Sequence, residues 1–514
     1  MIWMVLFLVW SGDNGDKDVD WAERQFKSHI RFLASDALQG RDTTFPGQKT
    51  AAEYIAAHFR SHDIPPAYPN TEDEYLQSYE LSVTETDPAS LSLKVRGRGE
   101  SLSLVHGRDY SFFSPRLSNF SDRAPLTFVG FGLENDDYND FGGVDIEGHW
   151  AVMFEGRPNG KGPLFKEDKI SGGRFWEKIM KVLSRGGKGV IVLVDDEYEG
   201  YDNGRSQSSM AFPGQSESSG ECFPIIRIPA NKAEAFLGKY AKRVEKARKM
   251  IEEKEKPQSF VLKARTLDFT VRYEKTIKKA ENVIAVLPGD DPVLKDEYVV
   301  VSAHYDHVGV QGREVYNGAD DNASGTATIM LLGQRFRQIP HRRSLILLLV
   351  SGEEHGLLGS EHFVKNPNVP HEQIVANINF DMVGRPEKGL GVIPSKNDDV
   401  TSLNDLLMQI NQDKNYNIAL RDDMDRYHSR SDHYNFVENG IPAIFFFSGM
   451  HDDYHEPTDD WDKIQYKDLA QSYFLFEEFA QAVMNADERP TWKKDRKKEG
   501  DHSEDDDKKT SPGQ

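Results

Sequence analysis

The stretch Ser344-Leu-Ile-Leu-Leu-Leu-Val350-Ser-Gly-Glu-Glu354 sets an unbroken apolar run against two adjacent carboxylates. A run of strand length that is apolar at successive positions fits a strand buried on both faces, since a half-exposed strand would alternate. Four further runs read the same way: Asn282-Val-Ile-Ala-Val-Leu287, Tyr298-Val-Val-Val-Ser-Ala303, Ile374-Val-Ala-Asn-Ile-Asn-Phe380 and Pro442-Ala-Ile-Phe-Phe-Phe447. Helical stretches separate several of them, at Ser324 to Arg337, Leu357 to Val364 and Leu403 to Gln412. This alternation predicts an α/β fold, a largely parallel mixed sheet sandwiched by helices.

Residues able to bind or react fall at the ends of these runs. His304 and Asp306 follow Ala303, Glu353 and Glu354 follow Val350, and Asp381 follows Phe380. Tyr454, His455 and Glu456 lie beyond Phe447, while Asp320 and Asp321 sit in Gly318-Ala-Asp-Asp-Asn-Ala-Ser-Gly325 ahead of a helix. Ligands of open α/β sheets bind outside the carboxyl ends of the strands, so these clusters are expected to converge on one edge. Each piece alone is weak: a His-x-Asp pair is usually structural, paired glutamates are usually solvated, and Gly-Ala-Asp-Asp-Asn passes for a turn. Their joint placement carries the inference.

The chemistry fits a metal centre. Zinc takes imidazole and carboxylate ligands and leaves a position open for water in catalytic sites. Two ions about 3.5–4 Å apart can share one carboxylate and clamp a hydroxide between them. His304, Asp321, Glu354, Asp381 and His455 supply two imidazoles and three carboxylates. With Asp321 as the bridge, each ion has three protein ligands, and a residual charge of about +1 stabilises the hydroxide.

His304-Tyr-Asp-His-Val-Gly309, Asn317-Gly-Ala-Asp-Asp-Asn-Ala-Ser-Gly325, Gly352-Glu-Glu-His-Gly-Leu-Leu-Gly-Ser360, Asn379-Phe-Asp-Met-Val-Gly384 and Tyr454-His-Glu-Pro-Thr-Asp459 resemble the signature blocks of one family. It is the co-catalytic di-zinc peptidase family of bacterial leucyl-type aminopeptidases and glutamate carboxypeptidase, with glutaminyl cyclase and the transferrin receptor as more distant relatives. Phe32-Leu-Ala-Ser-Asp-Ala-Leu-Gln-Gly-Arg41 and Pro46-Gly-Gln-Lys-Thr-Ala-Ala-Glu-Tyr54 also look like this family. The resemblance implies the zinc exopeptidase fold and two Zn2+ ions. His304, Asp321 and Asp381 would hold one ion; Asp321, Glu354 and His455 would hold the other. Asp306 would orient His304, Glu353 would be the general base, and Tyr454 would donate to the oxyanion. It also implies a non-proline cis peptide at Asp321–Asn322.

Outside the blocks the chain is expected to divide as follows. Residues 1–12 form an apolar amino-terminal segment, and 20–85 a helical part of the peptidase domain, broken by the Gly- and Pro-bearing stretch Leu38 to Gly47. Residues 86–275 form a β-rich insert that resembles a protease-associated domain at Val129-Gly-Phe-Gly132 and Gly186-Gly-Lys-Gly-Val-Ile191; 276–488 form the di-zinc peptidase domain; 489–514 are a charged, disordered tail. The ten apolar residues Met1 to Trp10 are too few for a membrane span, which takes about 20. They read as a truncated or atypical export signal, giving a secreted or periplasmic protein, although a basic start is lacking. Cys222 is the single cysteine, which excludes an intrachain disulfide and a thiolate zinc cage.

The balance of 84 acidic against 63 basic residues argues against a nucleic-acid partner and is compatible with cationic ligands such as a peptide amine. His307 and His355 have no required role and are expected to pack against or support the ligands, and Asp320 is expected to support them. Ser431, Asp432 and His433 have the composition of a serine triad, but no nucleophile elbow accompanies them. Arg430 can contact a substrate terminus, or be a surface arginine. The leading functional reading is an aminopeptidase acting on peptides. The alternatives are a carboxypeptidase of the glutamate-releasing kind, which wants several arginines in its pocket, and a non-catalytic receptor-like module, which would have lost ligands. Oligomeric state and the preferred residue are left open.

Overall fold

Alternate residues of the central strands part into two cores. In Tyr298–His304, Val299, Val301 and Ala303 join a cluster with Leu345, Leu347 and Leu349 of the neighbouring strand, whereas Val300 joins Ile346, Leu348 and Val350 in another. The first cluster is completed by Phe26 and Ile30 of helix Gly12–Leu33, Ile55 and Phe59 of helix Pro46–Ser61, Ile329 and Leu332 of helix Gly325–Phe336, and Phe476 and Phe479 of helix Tyr466–Asn485. Phe363 and Val364 of helix Leu358–Lys365, with Phe436 and Val437 of His433–Glu438, complete the second. Helices therefore cover both faces, as uninterrupted apolar strands require.

This computed structural model describes residues 12–159, 175–195, 208–215, 221–311, 314–386, 389–394, 399–421 and 424–494. The apolar amino terminus and most of the charged tail lie outside them. By internal contacts the chain forms two units, one of residues up to Glu80, Lys278–Val310 and Glu314 onward, the other Leu81–Ile277.

In the first unit the strand order is Leu420–Arg421, Leu390–Pro394, Ala443–Phe447, Ile374–Phe380, Tyr298–His304, Ser344–Val350, Tyr273–Leu287 and Leu76–Thr86. The central four run mutually parallel, with Val301 opposite Leu347 on one side and Ile378 on the other. Tyr273–Leu287 and Leu390–Pro394 pair antiparallel to them, which makes the sheet mixed. The parallel core sends four carboxyl ends to one edge.

The second unit has its own sheet, ordered Ser101–Leu104, Ser92–Arg96, Ser259–Val271, Phe120–Val129, Trp150–Phe154, Gly189–Leu193, Ile225–Ile228 and Ser111–Phe113. Phe128, Trp150 and Phe269 are buried in its core. Helix Ala241–Lys254 is largely solvated, burying Val244, Ala247 and Ile251. Cys222 is buried, its thiol donating to Ser114 Oγ at 3.4 Å. No described helix is long and apolar enough to cross a membrane.

The two amino-terminal helices carry His29 and His58, whose rings meet edge-on at 4.8 Å. His58 Nε2 lies 3.2 Å from the Met330 carbonyl oxygen and His29 Nδ1 2.9 Å from the Tyr54 hydroxyl. Burial lowers His29 to about 4 and His58 to about 3. The unfolded chain titrates both near 6.5, so below that pH it takes protons the folded chain refuses. Their stabilisation is complete above pH 6.5 and is lost as pH falls toward the folded values, by about 1.4 kcal/mol for each group at pH 5.5. Thermal melts at pH 7.5 and 5.5 should show this loss, and His58→Leu should reduce it by about half; an unchanged difference would exclude His58 as its source.

Candidate metal centre

The carboxyl edge of the parallel strands gathers the polar residues. His304 ends its strand, Asp381 directly follows Phe380, and Glu353 and Glu354 lie just beyond Val350. Asp321 lies in the turn Ala319–Ser324 ahead of helix Gly325–Phe336, and its peptide bond to Asn322 is cis. His455 comes from the loop after Ala443–Phe447, with φ of 54°. A residue other than glycine adopts that backbone at a cost of about 1–2 kcal/mol.

Asp321 stands between two groups of donors. Its Oδ1 is 3.3 Å from His304 Nε2, which is also 3.3 Å from Asp381 Oδ1. Its Oδ2 is 3.1 Å from His455 Nε2, which is 3.0 Å from Glu354 Oε2. His304 Nε2, His455 Nε2 and Asp381 Oδ1 are buried without an aligned hydrogen bond. His304 and Asp381 belong to one group of closely spaced donors with Glu353, and His455 to another with His307, Asp321 and Glu354. Donors sharing a tetrahedral zinc at about 2.0–2.1 Å lie roughly 3.3 Å apart, the spacing seen here. The electrostatics agree. Despite burial, the surrounding carboxylates raise His455 to about 10 and hold His304 well above its ordinary value. The donor set therefore fits two cations bridged by Asp321.

Asp306, Glu353 and Tyr454 all lie beside the donor groups. His304 Nδ1 is 3.2 Å from the backbone oxygen of Asp306 and 3.7 Å from its carboxylate. Asp306 also accepts from the Thr43 hydroxyl at 2.9 Å and the Glu353 amide at 3.4 Å. Glu353 Oε2 lies 4.0 Å from His304 Nε2, and burial, with Glu354 and Asp381 nearby, holds its carboxyl well above the usual range. Tyr454 stacks on the His455 ring at 3.9 Å. Ser431, Asp432 and His433 form no triad: Ser431 binds Asn379 and Asp381, Asp432 accepts from Ser360, and the His433 ring lies against Phe445 at 4.6 Å.

His307 supports a ligand carboxylate, one of the two parts expected of it, whereas Asp459 and Arg385 were not singled out from the sequence. His307 Nδ1 lies 2.9 Å from Glu354 Oε1, which leaves Oε2 for the donor group containing His455. Its ring packs so closely on Gly318 that a Cβ there would lie 2.5 Å away. Asp459 accepts from the backbone amides of Asp320 and Asp321 at 3.0 and 3.1 Å, and Arg385 spans Asp459 and Asp453 at 2.8 and 2.7 Å. A Tyr-His-x-x-x-Asp spacing and an arginine after Asp-Met-Val-Gly were visible in the sequence, but nothing in them specified these contacts.

A cavity of about 140 Å³ opens onto Asp321, Glu353 and Asp381. Met382, Tyr427, Phe445, Phe447, Met450 and Tyr454 make its walls mainly apolar, and the exposed Arg430 adds a positive charge.

Residues 282–480 match the model of peptidase family M28. A probable leucine aminopeptidase of Arthroderma benhamiae is 26% identical over 290 residues, 53% of this chain and 78% of that protein. Another, from Arthroderma otae, is 27% identical over 36% of this chain, which spans about half (53%) of its length. A zinc aminopeptidase from Bacillus subtilis superposes with a TM-score of 0.58 at 18% identity, covering 90% of this chain and 95% of that one, a likeness of fold. All of His304, Asp321, Glu354, Asp381 and His455 fall within the residues that match the model of peptidase family M28.

Proposed function

We propose that this chain is a di-zinc aminopeptidase that releases amino-terminal residues with apolar side chains. The observation carrying this reading is the division of the Asp321 carboxylate between two donor groups at the floor of an apolar cavity. His304, Asp321 and Asp381 hold one ion, and Asp321, Glu354 and His455 the other. Zinc, once bound, polarises the scissile carbonyl and lowers the pKa of water. Glu353 takes the proton from the attacking water and returns it to the leaving amine; its buried, acid-rich surroundings favour a carboxyl able to carry that proton. Burial and the acidic neighbours keep the Tyr454 hydroxyl protonated, so it can donate to the oxyanion.

The cavity supports the substrate class. Its volume of about 140 Å³ is of the order that takes one benzene ring, room for a leucyl or phenylalanyl side chain. Asp321, Glu353 and Asp381 at its floor favour an ammonium group. Among the described lining residues only Arg430 could bind a carboxylate, against the several arginines a glutamate-releasing carboxypeptidase wants. Arg430, which lines the cavity, is proposed to contact the substrate beyond the scissile bond. Relatives named as leucine aminopeptidases support the same direction. The insert Leu81–Ile277 is proposed to be protease-associated-like and the mature chain to be exported.

Three outcomes test this. Peptides with a free amino end and a leucine or phenylalanine first should be cleaved, and those with a blocked amino end should not, with chelator abolishing turnover; cleavage from the carboxyl end would overturn the reading. Glu353→Gln should keep zinc content near wild type while kcat drops by about 10²–10⁴-fold, measured by metal analysis and steady-state kinetics. Calorimetric zinc titration should show Asp321→Ala weakening both binding events and His455→Ala chiefly one; retention of two wild-type affinities in Asp321→Ala would remove the bridge.

A further inference from the structure

Between the two amino-terminal helices, Gly40-Arg41-Asp42-Thr43 runs against the loops that carry the metal ligands. Gly40, with φ of 65°, accepts from the Gly309 amide at 3.1 Å, and a Cβ on it would lie 2.4 Å from the Gly309 oxygen. The Arg41 guanidinium, 1% exposed, donates to the backbone oxygens of Tyr305, Asn317 and Gly318 at 2.8, 2.7 and 3.0 Å, and to that of Leu33. Asp42 is paired with His355 at 2.8 Å. Thr43 is fully buried, and both capacities of its hydroxyl are used: it donates to Asp306 at 2.9 Å and accepts from the Gly352 amide at 2.9 Å.

These contacts touch each side of the site. Tyr305 and Asp306 adjoin His304, Asn317 and Gly318 lead to Asp321, and Gly352 precedes Glu353 and Glu354. Arg41 brings a buried positive charge toward Asp306, Asp321, Asp459 and Glu354, offsetting part of their repulsion. The hydroxyl of Thr43 links two loops whose spacing decides whether His304 and Glu353 face the same point. Removing it leaves two buried polar groups unpaired, at a cost that falls on those two loops.

We propose that Gly40–Thr43 is a positioning strap of the metal centre, and that Thr43 sets the His304 loop and the Glu353 loop in register through its single hydroxyl. The proposal rests on the di-zinc reading above. It gives the amino-terminal segment a part in the reaction without contact with substrate.

The test compares Thr43→Val, which keeps the branched shape and loses the hydroxyl, with Thr43→Ser, which keeps the hydroxyl. Zinc affinities come from competition with a chromogenic chelator, kcat and KM from leucine p-nitroanilide, and folding from the melting midpoint of the metal-free protein. Thr43→Val should weaken at least one zinc affinity and lower kcat, each by 10- to 100-fold, with KM nearly unchanged and the metal-free protein still folded at the assay temperature; Thr43→Ser should restore both. Thr43→Ala takes the place of the valine variant if that one does not fold. Wild-type affinities and turnover in the hydroxyl-free variant overturn the strap alone. So does a serine variant as impaired as valine. A wild-type chain that binds no zinc overturns the di-zinc reading and the strap with it.

Discussion

Asp321 shares its two carboxylate oxygens between two histidines, and with Asp306, Glu353, Glu354 and Asp381 close by, this arrangement concentrates negative charge in a buried space. Desolvation alone would push these carboxyls toward the neutral form. His304 and His455 outweigh that for Asp321, which is held well below the usual range, while Glu353 and Asp381 are pushed above it. One cage thus contains carboxyls driven in opposite directions. The elevation of Glu353 suits a carboxyl that exchanges a proton.

The sheet meets this electrostatic demand by geometry. Parallel pairing of Tyr298–His304 with Ser344–Val350 and Ile374–Phe380 brings His304 opposite Val350 and sets the start of three ligand loops on one edge. Both faces of these strands are buried, so a slip of one residue would exchange Val299 and Val301 with Val300 between two differently shaped cores. Apolar register therefore fixes the polar positions. The ligands contribute little to choosing the fold, and the hydrophobic pattern decides where they meet.

That division of labour explains what could be read from the sequence. The runs ending at Ala303, Val350, Phe380 and Phe447 are local signals, and they gave the α/β sandwich and the edge on which His304, Glu354, Asp381 and His455 meet. Asp321 was legible from its turn ahead of a helix. Arg41 and Thr43 were not, because their partners lie 263–309 positions away or are backbone atoms without identity in a sequence. His307 was set aside as having no required role, since nothing in a His-x-x-His spacing says which carboxylate oxygen a ring will engage. Arg385 is similar: its meaning depends on the fold bringing Asp453 and Asp459 to either side of it.

The supports are distributed according to what each ligand must withstand. Glu354 has His307 on one oxygen and faces His455 with the other, so its orientation is fixed locally. Asp306, beside His304, is tied by Thr43. Asp321 belongs to both halves and cannot be steadied from either side without blocking a donor oxygen. Its anchoring is accordingly at the backbone: the amides of Asp320 and Asp321 both donate to Asp459, which Arg385 grips, and Asp453 balances Arg385 while accepting from Thr458 at 2.6 Å. Charge alternates along that chain from Asp459 to Arg385 to Asp453, which Lys463 also pairs, so the guanidinium offsets the charge of the carboxylate that holds the Asp321 backbone. Anchoring the main chain leaves both side-chain oxygens of Asp321 available, as the proposed sharing of that carboxylate between two ions requires.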